Sequence, residues 1–596
     1  MIKTSILGLV ILLFAGMTAK SQVKIRFDIS FTEPQAHYTE VEMNISGLVK
    51  DYIDIKMPVW APGSYLVREF AKSVEGFGAT ANGKILKHEK VRKNTWRVYT
   101  AKANALKIKY RVYAFEVSVR TSFIDENHAF LSSSGIFMYP DGLLKTPSTV
   151  KINPYKGWTK VSTGLEPVSG QQFTYTAADF DILFDSPIEV GNQDVFEFMA
   201  SGLKHEVAMY GGGNYDKERL KVDMAKIVEQ GTAIYGENPN KHYTFIVHNF
   251  SSGGGGLEHL NSTVLGAKRD AYATETGYKG FLELVAHEYY HLWNVKRMRP
   301  VALGPFDYDN ENYTTNLWIA EGFTAYYENK LMLRAGFTDE KGFVDALVTA
   351  VSNVSNTPGN KVQSVAEASY DAWIKYYRPN ENSNNTTVSY YAKGEVVGLL
   401  MDLEIAHATK GAKSLDDVMK AMYLQNKAQK RGYTDAEFKA MVEKISGASF
   451  TDFWAKYVNG TTAIDYHKYF GYAGINITNE NEGKSIPYLG IATKNQGGRV
   501  IITTVSRNSA AWVDGLNVND EVISADGAPV EIAIDKMAAV AGKKVGETVT
   551  FKVARDGILK DITVTLKASP NLKLVGQIDE KATELQKAVR KAVLFK

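Results

Sequence analysis

The chain has 596 residues, carries 69 lysines and arginines against 66 aspartates and glutamates, and contains no cysteine. This length exceeds what one hydrophobic core normally covers and predicts three or four domains. The formal net charge of +3 is too balanced to favour nucleic acid or an anionic membrane as a partner. The fractions of hydrophobic residues (44%) and charged residues (23%) exclude a largely disordered or coiled-coil chain.

Residues 1–21 have the pattern of a secretory signal peptide. Lys3 precedes an apolar run over residues 6–17, and Ala19 and Ser21 stand at the two positions where a signal peptidase requires small residues. An uncleaved anchor is the less favoured alternative, because the run is too short to span a bilayer comfortably. No stable membrane insertion is therefore expected after cleavage. Export without cysteine predicts a periplasmic or extracellular bacterial protein.

Residues 22–200 are predicted to form an antiparallel β domain, arranged as a sandwich. Ile25, Phe27 and Ile29 are apolar and the residues between them are polar, which is typical of a strand with one solvated face. Residues 201–475 have mainly helical patterns after a small sheet, and residues 480–570 return to β patterns. An amphipathic helix is expected over residues 575–596. The fold class is therefore multidomain α+β.

The middle domain contains the sequence His-Glu-Tyr-Tyr-His at residues 287–291. Residues four apart on a helix leave the same face, so His287 and His291 can bind one metal ion. Glu288 is offset from this face and can reach a metal-bound water as general base. Two unrelated surface histidines are the structural alternative.

A catalytic zinc ion needs a third protein ligand and one open position. Glu321, within Leu-Trp-Ile-Ala-Glu-Gly-Phe at residues 317–323, is the best candidate, and Glu328 on the same predicted helix is its rival. Two imidazoles and a carboxylate favour one Zn²⁺ ion over calcium or magnesium.

Three segments of the middle domain carry a family likeness: residues 287–300, residues 320–326 and the Gly-Gly-Leu-Glu-His sequence at residues 255–259. They resemble the glycyl aminopeptidases, a family of PDZ-containing relatives of the thermolysin-like zinc peptidases. Residues 58–65 (Pro-Val-Trp-Ala-Pro-Gly-Ser-Tyr) are similar to the N-terminal β domain of that family. The resemblance implies a thermolysin-like catalytic domain over residues 201–475 and spans nearly the whole chain.

The resemblance also implies an amine-binding loop. Related zinc aminopeptidases have Gly-x-Met-Glu-Asn before the metal helix, and their glutamate binds the free amine of the substrate. Glu258 matches that glutamate, Gly255 and Gly256 precede it, and His259 replaces the asparagine. A flexible glycine loop with an incidental glutamate is the alternative.

A second implied role is that of an oxyanion donor. The family pattern Tyr-x-Lys-Gly matches residues 391–394, so Tyr391 would donate a hydrogen bond to the developing oxyanion. The adjacent Tyr390 is the alternative, and either tyrosine could instead serve the core.

Residues 487–566 resemble a PDZ domain. By this resemblance Tyr488, Leu489, Gly490 and Ile491 form its carboxylate-binding loop, beside which a peptide would add a strand. A domain that only packs against the catalytic body is the alternative.

Together these observations predict a zinc aminopeptidase that acts on peptides or unfolded segments, and the resemblance favours a small first residue, Gly or Ala. Two other functions remain open at this point. An endopeptidase would not use Glu258 to bind an amine, and a non-catalytic PDZ scaffold would have no need of Glu288 beside the metal ligands.

Overall fold

The computed structural model describes residues 23–530, 540 and 542–595. The predicted signal peptide lies outside the described residues. The chain is a mixed α+β protein with a β-rich N-terminal part, a helical middle part and a β-rich C-terminal part, which confirms the predicted fold class. Within the described part of the chain, no helix is both long and apolar enough to cross a membrane.

The N-terminal part consists of three sheets around one apolar core. Ile25, Phe27 and Ile29 are buried as the alternation predicts. The sheets are mostly antiparallel, except that β1 pairs in parallel with β12. The elements are β1 Lys24–Ser30, β2 Tyr38–Ser46, β3 Tyr52–Lys56, β4 Val74–Ala81, β5 Lys84–Ile85, β6 His88–Arg92, β7 Thr95–Tyr99, β8 Ala105–Tyr113, β9 Phe123–Ile124, β10 Ala129–Leu131, β11 Tyr139–Pro140, β12 Ser148–Asn153, β13 Lys160–Thr163, β14 Glu166–Pro167, β15 Thr174–Ala177, α1 Phe180–Phe184 and β16 Ile188–Gly191.

The middle part begins with a five-stranded sheet whose order is β17-β18-β19-β21-β20, followed by helices. Its elements are β17 Asp194–Ala200, β18 Leu203–Tyr210, α2 Lys217–Tyr235, β19 His242–Phe250, β20 Gly256–Glu258, β21 Ser262–Lys268, α3 Glu275–Tyr290, α4 Phe323–Arg334, α5 Glu340–Asn356, α6 Val365–Tyr370, α7 Ser383–Thr386, α8 Tyr390–Ala408, α9 Leu415–Gln429, α10 Asp435–Ser446, α11 Thr451–Phe453 and α12 Tyr466–Tyr472. Because β17 pairs with β18 in this sheet, the first domain boundary falls before Asp194 rather than at residue 200.

The C-terminal part contains a sheet in which β24 is an edge strand. Its elements are β22 Ile475–Asn479, β23 Pro487–Tyr488, β24 Ile491–Gln496, β25 Arg499–Val505, α13 Ala510–Asp514, β26 Glu521–Ala525, β27 Ala528–Pro529, β28 Thr548–Arg555, β29 Ile558–Thr565, β30 Lys567–Ala568, β31 Leu574–Ile578 and α14 Glu584–Phe595. The predicted tail helix is too long, because residues 574–578 form β31 and pair with β22. The helix begins at Glu584, and Val589 and Val593 are buried in the core of the middle part.

Asn385 joins the C-terminal part to the middle part. Its side-chain amide donates to the carbonyl oxygen of Val505 at 2.8 Å, and its side-chain oxygen accepts from the backbone N–H of Arg507 at 2.7 Å. The C-terminal part is thereby held to the segment that leads into α8.

Candidate active site

The three predicted metal ligands converge at the end of α3. One carboxylate oxygen of Glu321 lies 3.2 Å from Nε2 of His291 and 3.8 Å from Nε2 of His287. Their candidate ligand atoms all lie within 4.8 Å of one another. The second oxygen of Glu321 is buried and has no hydrogen-bond partner among the described residues. Two imidazoles and one carboxylate with free ligand atoms fit the donor set of a catalytic zinc site.

The other nitrogen of each imidazole is already engaged. Nδ1 of His291 lies 2.7 Å from the carbonyl oxygen of Asn294, and Nδ1 of His287 lies 3.1 Å from a carboxylate oxygen of Glu328. These contacts orient the rings so that both Nε2 atoms face Glu321. Glu328, the rival third ligand, therefore lies on the Nδ1 side of His287, away from the point where the other ligands meet.

The helix that carries the histidines stops at the metal site. It ends at Tyr290, and His291 is its C-terminal cap. The residues that follow turn away, because Asn294 also donates its side-chain amide to the carbonyl oxygens of Ile319 and Ala320, at 2.8 and 3.2 Å. Asn294 thus ties the end of α3 to the short π-helical segment Trp318–Gly322 that carries Glu321.

Glu288 lies beside this cluster in a buried position. Burial raises its pKa above the usual range of a carboxyl group, against the lowering influence of the neighbouring histidines. One of its oxygens has no hydrogen-bond partner in the described part of the chain. Gly256 on β20 makes room for this carboxylate, since a Cβ there would overlap it. The arrangement suits a group that exchanges a proton near neutral pH.

Glu258 lies at the other end of β20, against the N-terminal part. Its carboxylate is buried, and a Cβ on Gly63 would come within 2.6 Å of it. One carboxylate oxygen has no hydrogen-bond partner among residues that the structure describes. Ligand atoms of Glu258, Glu288 and His291 fall within 4.8 Å of one another. A buried carboxylate with a free oxygen is suited to bind a cation.

His259, the residue at the position of the family asparagine, does not line the cleft. Its Nδ1 lies 3.0 Å from Asp185, which also accepts from Lys296 at 2.8 Å and from the backbone N–H of Leu260 at 2.9 Å. Asp185 is buried, and the charges of Lys296 and His259 nevertheless lower its pKa to about 2. This network fixes the turn that follows Glu258.

The tyrosine pair at the start of α8 is divided between the cleft and the core. The ring of Tyr391 stacks on His287 with centroids 6.3 Å apart, and Tyr391 lines the cleft. Tyr390 is fully buried, and its hydroxyl has no partner among the described residues. Gly394 allows α8 to lie against the segment that carries Glu321. Its backbone is so close to Gly322 that a Cβ on either residue would overlap the other.

The resulting cleft has a volume of ≈ 610 Å³. Besides the predicted residues, including Gly255 and Gly256, its lining includes Gly63, Arg120, Tyr376 and Tyr377, to which the sequence interpretation gave no role. Gly63 stands within the Pro-Val-Trp-Ala-Pro-Gly-Ser-Tyr segment that carried the resemblance, so that signal could have identified it. No local pattern distinguishes Arg120, because it reaches the cleft through the packing of two distant segments.

The predicted carboxylate-binding loop of the C-terminal part lies beside α13. Gly490 has a φ of +79° and packs against Ser509. Its carbonyl oxygen accepts from the backbone N–H of Ser506 at 2.8 Å, and that of Leu489 accepts from Ala511 at 3.0 Å. Tyr488 lies in β23, and Ile491 begins the edge strand β24. An edge strand at this position is compatible with strand addition by a peptide.

Comparison with protein families gives three matches along the chain. The model of the M61 peptidase N-terminal domain matches residues 26–192, that of the M61 glycyl aminopeptidase matches residues 280–397, and that of a PDZ domain matches residues 487–566. They confirm the resemblance drawn from the sequence. A search of curated proteins gives no significant match.

The comparison with solved structures includes the following two matches. An aminopeptidase N family protein from Idiomarina loihiensis is 28% identical, and the match covers 96% of this chain and 100% of that one with a TM-score of 0.89. An M1 zinc metallopeptidase from Deinococcus radiodurans is 11% identical, with 74% of this chain and 95% of that one covered and a TM-score of 0.48. The first of these solved structures therefore shares the α+β architecture described above.

Proposed function

We propose that this chain, a metallo-aminopeptidase whose segments match the models of the M61 N-terminal domain and the M61 glycyl aminopeptidase, uses one zinc ion to remove N-terminal Gly or Ala from peptides. Support for zinc comes from the donor set described above. Support for a small first residue comes from the glycyl aminopeptidase family itself.

His287, His291 and Glu321 would hold the metal. Bound there, the ion would polarise the scissile carbonyl and lower the pKa of a bound water. The contacts of Asn294 and Glu328 with the imidazole Nδ1 atoms keep both Nε2 atoms available, and this orientation is what the binding of one ion by both rings requires.

Glu288 and Tyr391 would carry the proton transfer and the charge stabilisation. Glu288 takes a proton from the water that attacks the scissile carbonyl and returns it to the leaving amine. Tyr391 donates its phenolic hydrogen to the carbonyl oxygen as that atom gains negative charge. Burial keeps the pKa of Tyr391 well above its usual value, so the hydroxyl retains its proton at neutral pH.

The observation that carries the exopeptidase proposal is the position of Glu258. Its buried carboxylate has an oxygen without a partner among the described residues and lies within 4.8 Å of candidate ligand atoms of Glu288 and His291. Gly63 of the N-terminal part packs against it. A substrate amine bound at Glu258 leaves room for one residue before the reacting carbonyl, as an aminopeptidase requires.

Mass spectrometry of a mixed peptide pool tests this proposal. The pool contains each peptide with a free amine and with an acetylated one, and the zinc-loaded Glu288→Gln protein serves as the blank. We expect loss of single N-terminal residues from the free-amine peptides only, with Gly and Ala removed fastest. Internal cuts that ignore acetylation would instead support an endopeptidase, and a result equal to the blank would favour the PDZ scaffold.

We further propose that the enzyme acts in the periplasm or outside a bacterial cell, and that its PDZ domain binds peptide C-termini through Tyr488, Leu489, Gly490 and Ile491. The signal-like residues 1–21 and the absence of cysteine support the first point. The edge position of β24 supports the second. Peptides and unfolded segments are then the partners of both domains.

A further inference from the structure

Arg120 brings a positive charge from the N-terminal part into the substrate cleft. It follows Val119 in the connection between β8 and β9, and its Nη2 donates to the carbonyl oxygen of Gly256 at 3.1 Å. Its buried Nε has no hydrogen-bond partner in the described part of the chain. No carboxylate of the described residues lies within ion-pair distance of its guanidinium, although Glu258 and Glu288 act on it from farther away.

A second arginine without an ion pair stands close to the first. Arg68 donates from Nη2 to the hydroxyl of Ser64 at 2.9 Å, and its buried Nε has no partner among the described residues. Burial and the positive charge of Arg120 together lower the pKa of Arg68. Guanidinium groups removed from water are normally paired with an anion. Arg68 lines a separate cavity and not the substrate cleft, so Arg120 is the guanidinium that an anion entering the cleft would meet.

The position of Arg120 along β20 indicates which part of a substrate it meets. Glu258 lies at one end of the strand, and Gly256 lies at the level of Glu288. Arg120 bonds to Gly256, and its Nη1 would lie 4.0 Å from a Cβ on Gly255. The order along the cleft is thus the amine-binding carboxylate, the base and then the guanidinium. At about 3.3 Å per residue, the last position matches the residue after the scissile bond.

We propose that Arg120 binds a substrate carboxylate on the leaving-group side of the scissile bond, so that dipeptides with a free C-terminus are the preferred substrate class. This inference rests on the proposed aminopeptidase function. The amine of a dipeptide would pair with Glu258 and its α-carboxylate with Arg120, so both charged ends are neutralised inside the cleft. An acidic side chain at the second position offers the same chemistry.

Kinetics with matched substrates test the proposal. The substrates are Ala-Ala, its C-terminal amide, and Ala-Asp amide, in which only the side chain carries a carboxylate; alanine p-nitroanilide reports the underlying chemistry. For the unmodified enzyme we expect kcat/KM for Ala-Ala to exceed that for its amide by about tenfold or more, mainly through KM. Comparable rates for Ala-Asp amide would identify the side-chain carboxylate as an equal ligand.

Two variants of Arg120, with one control variant, separate carboxylate binding from a structural role. Arg120→Gln can still donate to Gly256, and we expect it to lose the preference for Ala-Ala over its amide, whereas Arg120→Lys retains part of it. Arg378→Gln removes a nearby exposed arginine and should keep the preference. Equal losses on acid and amide in Arg120→Gln would show that Arg120 only positions Gly256, and unchanged rates on both substrates would exclude any role for it.

Calorimetry measures the binding of these ligands without turnover, so it tests the role of Arg120 independently of catalysis. In the Glu288→Gln protein, Ala-Ala should bind more tightly than its amide, and adding Arg120→Gln should abolish the difference. If the unmodified enzyme cleaves none of the four substrates, the proposed function fails while the binding preference still decides the role of Arg120. Equal binding of acid and amide would overturn the proposal.

Discussion

The carbonyl oxygen of Asn294 lies 2.7 Å from Nδ1 of His291, and the side-chain amide of the same asparagine donates to Ile319 at 2.8 Å. One residue therefore orients a metal-binding imidazole and holds the segment that carries Glu321. Asn294→Ala keeps the backbone carbonyl that contacts His291 but releases the segment that carries Glu321. We therefore expect it to weaken zinc binding by about tenfold or more and to lower the free energy of unfolding by about 1–3 kcal/mol, because buried carbonyl groups lose their donor. Zinc titration and denaturant unfolding measure both effects, with the exposed Asn476→Ala as control.

A second prediction concerns the close approach of β20 to α3. A Cβ on Gly256 would overlap the carboxylate of Glu288, whereas nothing lies within 4 Å of a Cβ on Gly254. We expect Gly256→Ala to lower kcat by about 10²-fold because it displaces the base, with zinc content unchanged. Gly254→Ala should retain activity. Similar kinetics for the two variants would show that the position of Glu288 does not depend on Gly256.

The two tyrosines at the start of α8 can be separated by removing one hydroxyl at a time. Tyr391 stacks on His287 and lines the cleft, whereas Tyr390 is buried in the core. We expect Tyr391→Phe to lower kcat by about 10²–10³-fold with little change in KM, as for the loss of one oxyanion donor. Tyr390→Phe should leave kcat close to that of the unmodified enzyme. The opposite result would assign the donor role to Tyr390.

His205, which contacts the metal helix α3, makes the free energy of unfolding depend on pH. Burial lowers its pKa to about 4, and its Nε2 lies 2.9 Å from the hydroxyl of Tyr289. Because the unfolded chain binds a proton near pH 6.5 and the folded one does not, this residue supports full stability above pH 6.5 and loses that contribution as the pH falls toward 4. We expect this residue to lower the free energy of unfolding by about 2 kcal/mol between pH 7 and pH 5.

Replacing His205 with Phe tests that linkage. The variant keeps an aromatic ring at the position that now stacks on Phe198 but has no titratable group. The drop in unfolding free energy between pH 7 and pH 5 should therefore shrink by about 2 kcal/mol relative to the unmodified protein. Both proteins are measured without metal, so that loss of zinc in acid does not contribute. Parallel pH profiles would show that His205 does not titrate in this range.

The sequence predicted those features that depend on local spacing. The histidine pair shares one helical face, Glu321 follows on the return segment, and the alternating residues of β1 are buried in the core. It did not predict where α3 ends, because the stop depends on hydrogen bonds from Asn294 to residues 319 and 320. Nor did it predict β31, which becomes a strand by pairing with a segment about a hundred positions earlier.

The residues from the N-terminal part were the least predictable. Gly63 and Arg120 reach the cleft only because the two parts pack together, and neither lies in a motif of metal-binding residues. Nor does the sequence indicate that Asp185 holds His259, the residue in place of the family asparagine, away from the cleft. Tertiary contacts that link distant segments leave no periodic signal in the chain.

The role of Glu258 is the central claim, and the most direct measurement is the kinetics of zinc-loaded Glu258→Gln on alanine p-nitroanilide. Glutamine keeps the size of the side chain and removes the charge that would pair with the substrate amine. The account predicts a fall in kcat/KM of about 10²-fold or more, with the zinc content and the unfolding free energy retained. An unchanged kcat/KM, together with cleavage of the acetylated substrate, would contradict it and leave the cleft open to an endopeptidase.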